Sequence, residues 1–466
     1  MTTSSPPLSS TTKLALLSTL YFSQGLPYGF FTKALPVWMR QEGMALEVIG
    51  FSSLLALPWG LKFLWAPLVD RWGGSRWGRR RGWILPLQAL TVVTLVLLAG
   101  LGAAGQPLVT ALAIGMLVTS LLAASQDIAT DGLAVDLLTS SERGLGNGIQ
   151  VAAYRLGMIA GGGGLLAVLS HWGWTPTFLL MAALVLYMSI PIASWQEPTS
   201  ASTTTTTTTT TVSLAAVLQF LFANQGRMLL WCGGLALFKL GDAFGSPMTS
   251  PLLIDKHYTI DDVALLLGTL GSGAGLVGAM LGGLLARRGR LLALVVCGLV
   301  HAALMASYAL PVCWDLDQAY VGALVVVEHL TGGMATVALF TAMMDACDPR
   351  TGATDYTTQA SVVVLISGIG SALSGVSASN LGFAAHFGVA GGLCVVGTLV
   401  MVPLYRAKIA PRDPAFDDEL LLVPAPDGAV SWSSSAAVPA CNAPASGSKA
   451  APSGLRAGSS RPLDPP

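Results

Sequence analysis

Apolar residues run along this chain in long blocks, separated by short polar or arginine-bearing stretches. About 20 consecutive apolar residues are what an α-helix needs to cross a bilayer's hydrocarbon core. A helix also satisfies its own backbone polar groups there. Twelve such blocks can be marked, at 14–39, 48–69, 82–104, 108–138, 146–169, 174–195, 228–254, 263–286, 291–311, 320–344, 356–380 and 383–405. The pattern predicts an all-α polytopic membrane protein of twelve transmembrane helices. Composition agrees: 53% of the 466 residues are hydrophobic and 10% charged, against about 25% charged in soluble domains. A water-soluble globular protein is thereby excluded.

Net charge is zero, but its placement is one-sided. Arg71, Arg76, Arg79, Arg80, Arg81, Arg143, Arg227, Arg287, Arg288, Arg290, Arg350, Arg406, Lys408 and Arg412 follow even-numbered blocks, whereas only Arg40 and Lys256 follow odd ones. Cytoplasmic loops hold the excess of Lys and Arg, which predicts two cytoplasmic termini. Residues 1–13 read as a disordered N-terminus without a cleavable signal, so that the first helix is its own insertion signal. Six blocks form a first half, 14–195, and six a second, 228–405. Between them, 196–227 reads as a cytoplasmic linker with a threonine run (Thr203 to Thr211) and an amphipathic helix on Leu214, Val217, Leu218, Leu221 and Phe222. The stretch 406–466 reads as a disordered cytoplasmic tail; its Asp417-Asp418-Glu419-Leu420-Leu421-Leu422 has the form of an acidic dileucine sorting signal. The halves echo each other, since Asp136 precedes Gln150, and Asp345 precedes Gln359, by the same fourteen residues. That spacing favours a duplicated six-helix unit.

Interior charge then changes the picture. Blocks three, six, nine and twelve carry no Asp, Glu, Lys or Arg within them, as four lipid-facing support helices would. The other blocks hold Lys33, Lys62, Asp127, Asp131, Arg155, Lys239, Asp242 and Glu328, the last beside His329. A charge at membrane depth is costly unless water or a partner meets it, so these residues mark a shared polar cavity. Asp127 and Asp131 are one turn apart on one helix face. Lys239 and Asp242 can pair on another. Asp127 and Arg155 reach similar depths, roughly 13 and 18 Å from the arginine-rich ends of their helices, and a contact between them is feasible. Lys62 and Asp131 read equally as braces near the cytoplasmic rim, Lys33 as a snorkelling cation, and His329 as a packed residue pointing away from Glu328. The candidate cavity set is Lys62, Asp127, Asp131, Arg155, Lys239, Asp242 and Glu328, with Gln24 of the first block. A candidate cytoplasmic gate comprises Asp70, Arg71, Asp136, Arg143, Asp345 and Arg350, at helix ends where charges meet dipoles and one another. Gly25-Leu26-Pro27 and Gly245-Ser246-Pro247 predict broken helices at comparable places in the halves. Gly157 and Gly161–Gly164 predict close helix packing.

The six cysteines (Cys232, Cys297, Cys313, Cys347, Cys394, Cys441) form neither a CxxC nor a Cys/His spacing, so no metal site, disulfide framework or cofactor is expected. Motifs for a serine or cysteine nucleophile are likewise absent, which argues against an enzyme.

Asp70-Arg71-Trp72-Gly73 with Arg79-Arg80-Arg81 resembles the loop signature of the major facilitator superfamily; the second copy has Ala286 where the acid would stand. Tyr21-Phe22-Ser23-Gln24-Gly25-Leu26-Pro27-Tyr28-Gly29, Leu61-Lys62-Phe63-Leu64-Trp65-Ala66-Pro67 and Ser125-Gln126-Asp127-Ile128-Ala129-Thr130-Asp131-Gly132 resemble its AmpG branch. That branch holds muropeptide permeases, siderophore permeases of the RhtX/FptX type, and the acetyl-CoA transporter family with its vertebrate orphan relatives. The resemblance spans about 14–405. It implies a major facilitator fold of two pseudo-symmetric halves, alternating access and, for bacterial members, proton coupling. The expectation is a monomeric secondary transporter of a small anionic solute, muropeptide- or siderophore-like, with protons and the lipid bilayer as further partners and no nucleic acid. An acetyl-CoA or acyl-nucleotide carrier is the alternative, and a non-transporting receptor or scaffold the alternative of another class. A bacterial inner membrane and a eukaryotic plasma membrane or endomembrane both remain open.

Overall fold

The computed structural model describes residues 8–35, 38–39, 57–72, 78–103, 109–197, 223–314, 316–348 and 351–407. The threonine run, the amphipathic stretch before Arg227, the tail signal, Arg40, Arg350 and the first part of the second block lie outside these residues.

Every regular element among the described residues is helical. Twelve segments follow in order: α1 (10–34), α2 (57–71), α3 (Arg81–Ala103), α4 (Val109–Leu137), α5 (Ser140–Trp172), α6 (Trp174–Ser194), α7 (223–255), α8 (260–288), α9 (Arg290–Cys313), α10 (Gln318–Asp345), α11 (352–381) and α12 (383–406). Among the described residues, α3 to α10, and α11 with α12 counted as one, are long and apolar enough to cross a membrane. What separates α11 from α12 is Gly382, at φ 75° and ψ 160°, a conformation essentially reserved for glycine. The first helix starts at Ser10 rather than at 14, because the Ser9 hydroxyl accepts a bond from the Thr12 amide and caps it.

Side-chain size explains the packing. Gly25 and Gly29 of α1 face the backbone of Tyr154 and Met158 on α5, while Gly157 and Gly161 of α5 face that of Phe22 and Leu26. A Cβ at any of the four would strike backbone, so α1 and α5 meet at glycine distance. Gly163 and Gly164 face open space, so only part of the glycine run serves this contact. Elsewhere α3 lies against α4 and α6, α7 against α11 and α12, α8 against α10, and α9 against α10 and α12; the halves meet along α5 with α8 and along α2 and α4 with α11. Leu90, Val93 and Leu97 on α3, Leu186 and Ile190 on α6, Leu292 and Val296 on α9, and Val396 and Leu399 on α12 are exposed. This is the apolar outer face that lipid requires.

Neither helix is broken at the expected glycine–proline stretch; each changes pitch instead. Pro27 lies inside a continuous helix, and the next turn, Phe30–Ala34, widens into a π-helix; proline removes one donor and crowds the preceding turn. In α7 the turn Ser246–Met248 tightens to 3₁₀.

Candidate functional site

α4 carries Asp127 and Asp131 on one buried face, opposite Lys62 in a 3₁₀ turn of α2. The Lys62 ammonium makes a close ion pair with Asp127 and lies 3.6 Å from Asp131 Oδ2. Asp131 Oδ1 accepts from the Tyr21 hydroxyl at 2.8 Å and from Gln150 Nε2 at 3.2 Å. Tyr356 of α11, in the other half, adjoins this network, 3.5 Å from Gln150 Oε1. One ammonium thus serves two carboxylates away from water. Lys62 and Asp131 are both buried, and Asp131 lies near the arginine-rich end, since its neighbour Gly132 packs against Arg80. The feasible Asp127–Arg155 contact is not made, since Lys62 stands between α4 and that role. Gln24 donates to Thr130 Oγ1 at 3.0 Å rather than to a carboxylate. Lys33 is exposed near the end of α1, as a snorkelling cation would be.

Next to this cluster, Tyr28, Trp59 and Tyr154 converge from α1, α2 and α5 with ring centroids 5.8 to 6.0 Å apart, and Lys62 Nζ lies 5.5 Å from the Trp59 ring. All three rings are partly open.

In the second half, Lys239 and Asp242 pair closely on α7, and Asp242 Oδ1 accepts from the Ser246 hydroxyl at 3.0 Å. His301 Nε2 lies 3.3 Å from the same oxygen, and His301 Nδ1 lies 3.8 Å from Glu328 Oε1. Glu328 Oε2 reaches His329 Nδ1 at 2.8 Å. His329 therefore does share a site with Glu328: neighbouring side chains leave a helix about 100° apart, but the long glutamate arm folds back. His301 lies on α9, a helix without Asp, Glu, Lys or Arg in its apolar run, so the interior-charge pattern does not point to it. A single imidazole inside the apolar run Val300-His301-Ala302 was the available signal. It makes α9 part of the interior as well as of the outer surface. Asp242, His301 and Glu328 have ligand-type atoms within 4.8 Å of one another, a set that by residue type could hold a metal. Lys239 already occupies Asp242, however, and the two imidazole nitrogens address different acids. The arrangement fits an acid–imidazole chain better than three ligands converging on one point. A small cavity of about 20 Å³, room for roughly one water, touches Lys239, Asp242, His301 and Thr398.

Arg155 of α5 has no carboxylate within 4.0 Å among the described residues. The acids whose fields reach it are Asp242 and Glu328, across the boundary between halves.

At the arginine-rich end both halves build the same latch. Arg80 Nε donates to Asp136 Oδ2 at 2.8 Å, and Arg290 Nε to Asp345 Oδ2 at 2.8 Å. Each latch also crosses to the other half. Asp70, held by Arg79 and by Arg80 at 3.1 and 2.7 Å, accepts the Thr354 amide and hydroxyl at 2.7 Å each, at the start of α11. Asp345 receives Arg143 at 2.9 Å, and Arg290 also donates to the Ser140 carbonyl. Ala286 does not disable the second latch: its carbonyl accepts Arg290 Nη1 at 2.7 Å, and Asp345 supplies the acid. Arg71 is exposed, and Arg350 lies outside the described residues. The key arginines, Arg80 and Arg290, were visible only as members of basic runs. Glu197, which accepts the Arg80 and Arg81 amides at 2.9 and 3.0 Å, gave no signal at all.

A family model described as Major Facilitator Superfamily matches residues 17–361. The anhydromuropeptide permease of Escherichia coli (strain K12) is 36% identical over 346 residues, covering 73% of this chain and 69% of the permease. Among solved structures, the E. coli fucose:proton symporter superposes with a TM-score of 0.63 at 14% identity, over 86% of this chain and 99% of the symporter. A bacterial homologue of the iron transporter ferroportin, in an outward-facing state, gives 0.62 at 16% identity over 86% of this chain and all (100%) of that one.

Proposed function

Given that the chain belongs to the major facilitator superfamily, within its AmpG-like branch, we propose that it carries an anionic, muropeptide-like solute across the membrane by alternating access, together with a proton. The observation behind the proton is the imbalance at Lys62, Asp127 and Asp131. One cation facing two buried carboxylates leaves a negative charge that low dielectric penalises, and a proton shared by the pair removes it. Among the described residues the groups facing Asp131 fit that role: Tyr21 from α1, Lys62 from α2, Gln150 from α5 and Tyr356 from α11 are donors or neutral, and Asp127 is a like charge.

The solute class rests on the 36% identical permease and on the site's chemistry. Muropeptides join sugar rings to a carboxylate-bearing peptide. Tyr28, Trp59 and Tyr154 offer apolar ring faces for the one, and Arg155 a cation for the other. With arginine-rich loops inside, the latches of Asp70 with Thr354 and of Arg143 with Asp345 close the cytoplasmic end, and both termini are cytoplasmic.

Uptake of labelled anhydromuropeptide into proteoliposomes, acidic outside, tests the reading. Wild type is expected to accumulate the label above its outside concentration. Asp131→Asn, which leaves a balanced Lys62–Asp127 pair, should exchange label in counterflow without accumulating it. Absence of counterflow in wild type would favour the receptor alternative, and competition by acetyl-CoA the acyl-nucleotide one.

A further inference from the structure

We infer that Arg155, lodged in the slot left by Gly275, is the receptor for the solute's carboxylate, and that the missing side chain at 275 sets its position. The inference deepens the proposed transport of an anion and rests on that reading. Three candidate cations lie in the interior. Lys62 is taken by Asp127 and Asp131, and Lys239 by Asp242. Arg155 alone of the three has no carboxylate within ion-pair reach among the described residues. A guanidinium presents a planar fork of donors that matches a carboxylate through two parallel bonds. Held between helices without such a partner it is destabilised, and an entering carboxylate supplies the partner.

The slot explains why the fork is held there. Along the boundary between halves, Gly144 of α5 abuts Gly283 of α8, and Gly148 abuts Ala279. Four residues further on α8, and seven on α5, the head of Arg155 reaches back to Gly275: a Cβ built there falls onto Arg155 Nη1, and the His329 carbonyl oxygen lies 3.3 Å from it. The closed seam of small residues thus ends in an arginine whose head fills the next vacant position. The solute's carboxylate would then meet a side chain rooted in one half and seated in the other. Its binding therefore senses whether the seam is closed, and parting α5 from α8 removes the seat and loosens the grip.

Gly275→Ala probes this directly, because the atom that must yield is the tip of a flexible side chain. At Gly278 the obstacle is instead the Leu330 carbonyl. Gly273 of the same helix faces open space, so Gly273→Ala is the matched control. Binding is measured on the purified full chain with two probes, an anhydromuropeptide tripeptide and an N-acetyl dipeptide acid, each beside its methyl ester. Wild type and Gly273→Ala should prefer acid over ester. Gly275→Ala and Arg155→Gln should each lose about tenfold or more in affinity for the acid, the scale of one charged hydrogen bond, and with it the preference. Arg155→Lys should not restore it, since an ammonium lacks the fork. Wild-type affinity in Gly275→Ala, equal binding of acid and ester, or no binding of either acid to wild type would overturn the inference. Should the dipeptide acid bind in this Arg155- and Gly275-dependent way while the muropeptide does not, the solute class falls and the receptor stands.

Discussion

In the first half of the bundle one ammonium, Lys62, serves Asp127 and Asp131; in the second, Lys239 and Arg155 stand against Asp242 and Glu328, with His301 and His329 between them. The first cluster is short of one positive charge, whereas the second has two cations for its two carboxylates, with two imidazoles besides. The first is also sealed, its side chains 2 to 8% exposed, while Lys239 and Asp242 are 22 and 21% exposed beside a cavity. A sealed, unbalanced site can hold a proton without contact with the solute. A balanced, partly hydrated site can accept a solute's charge by small shifts of its own. On the proposed reading the halves divide the work accordingly, and duplication of a six-helix unit has not conserved the role of its polar residues.

The largest effect is expected from Lys62→Met, which strands two buried carboxylates. Breaking a buried pair from one side costs about 3–5 kcal/mol, read as a large drop in melting temperature of the purified protein. Lys239→Met should cost clearly less, because Asp242 keeps Ser246 and His301 and its site is partly hydrated. Equal losses at the two lysines would erase the distinction between sealed and open clusters.

A smaller change is expected at the latch. Arg290→Ala removes the links from Arg290 to Asp345 and to Ser140, but Asp345 keeps Arg143, so the expected loss is that of one charged hydrogen bond, about 1.5–3 kcal/mol. Cys347, buried at the end of α10, should then react faster with a maleimide, followed at that site by mass spectrometry. An unchanged rate would show that the other latch, Asp70 with Thr354, suffices to hold the end shut.

The smallest effects concern the α1–α5 contact. Gly161→Ala, whose Cβ meets the Leu26 carbonyl, should destabilise by about 1–3 kcal/mol. Gly163→Ala, facing open space, should stay within about 0.5 kcal/mol of wild type. Thermal melting of the two variants side by side separates packing glycines from incidental ones.

Much of the fold was legible because its cause is local. A block of 20 apolar residues specifies a membrane helix whatever its neighbours are, and the boundary between 380 and 383 matches the turn at Gly382. Which residues sit on charged, interior-facing helices was legible for the same reason: Asp127, Asp131, Lys239 and Asp242 are placed by spacing alone. Partners were not, since Lys62 meets Asp127, and Arg155 faces Gly275, through helix rotations that no local pattern encodes. His301 was not legible because a lone histidine in an apolar run reads as a packed core residue until its neighbours are known. Glu197 escaped because a glutamate just past a helix end looks like any solvated surface residue until the chain brings it to the Arg80 and Arg81 amides.

The division between halves is tested most directly by proton flux. Proteoliposomes loaded with a pH-sensitive dye, given unlabelled anhydromuropeptide from outside, report whether solute entry acidifies the lumen. The account expects acidification with wild type and with Glu328→Gln, and none with Asp131→Asn. Acidification by Asp131→Asn at the wild-type ratio of protons to solute would contradict it.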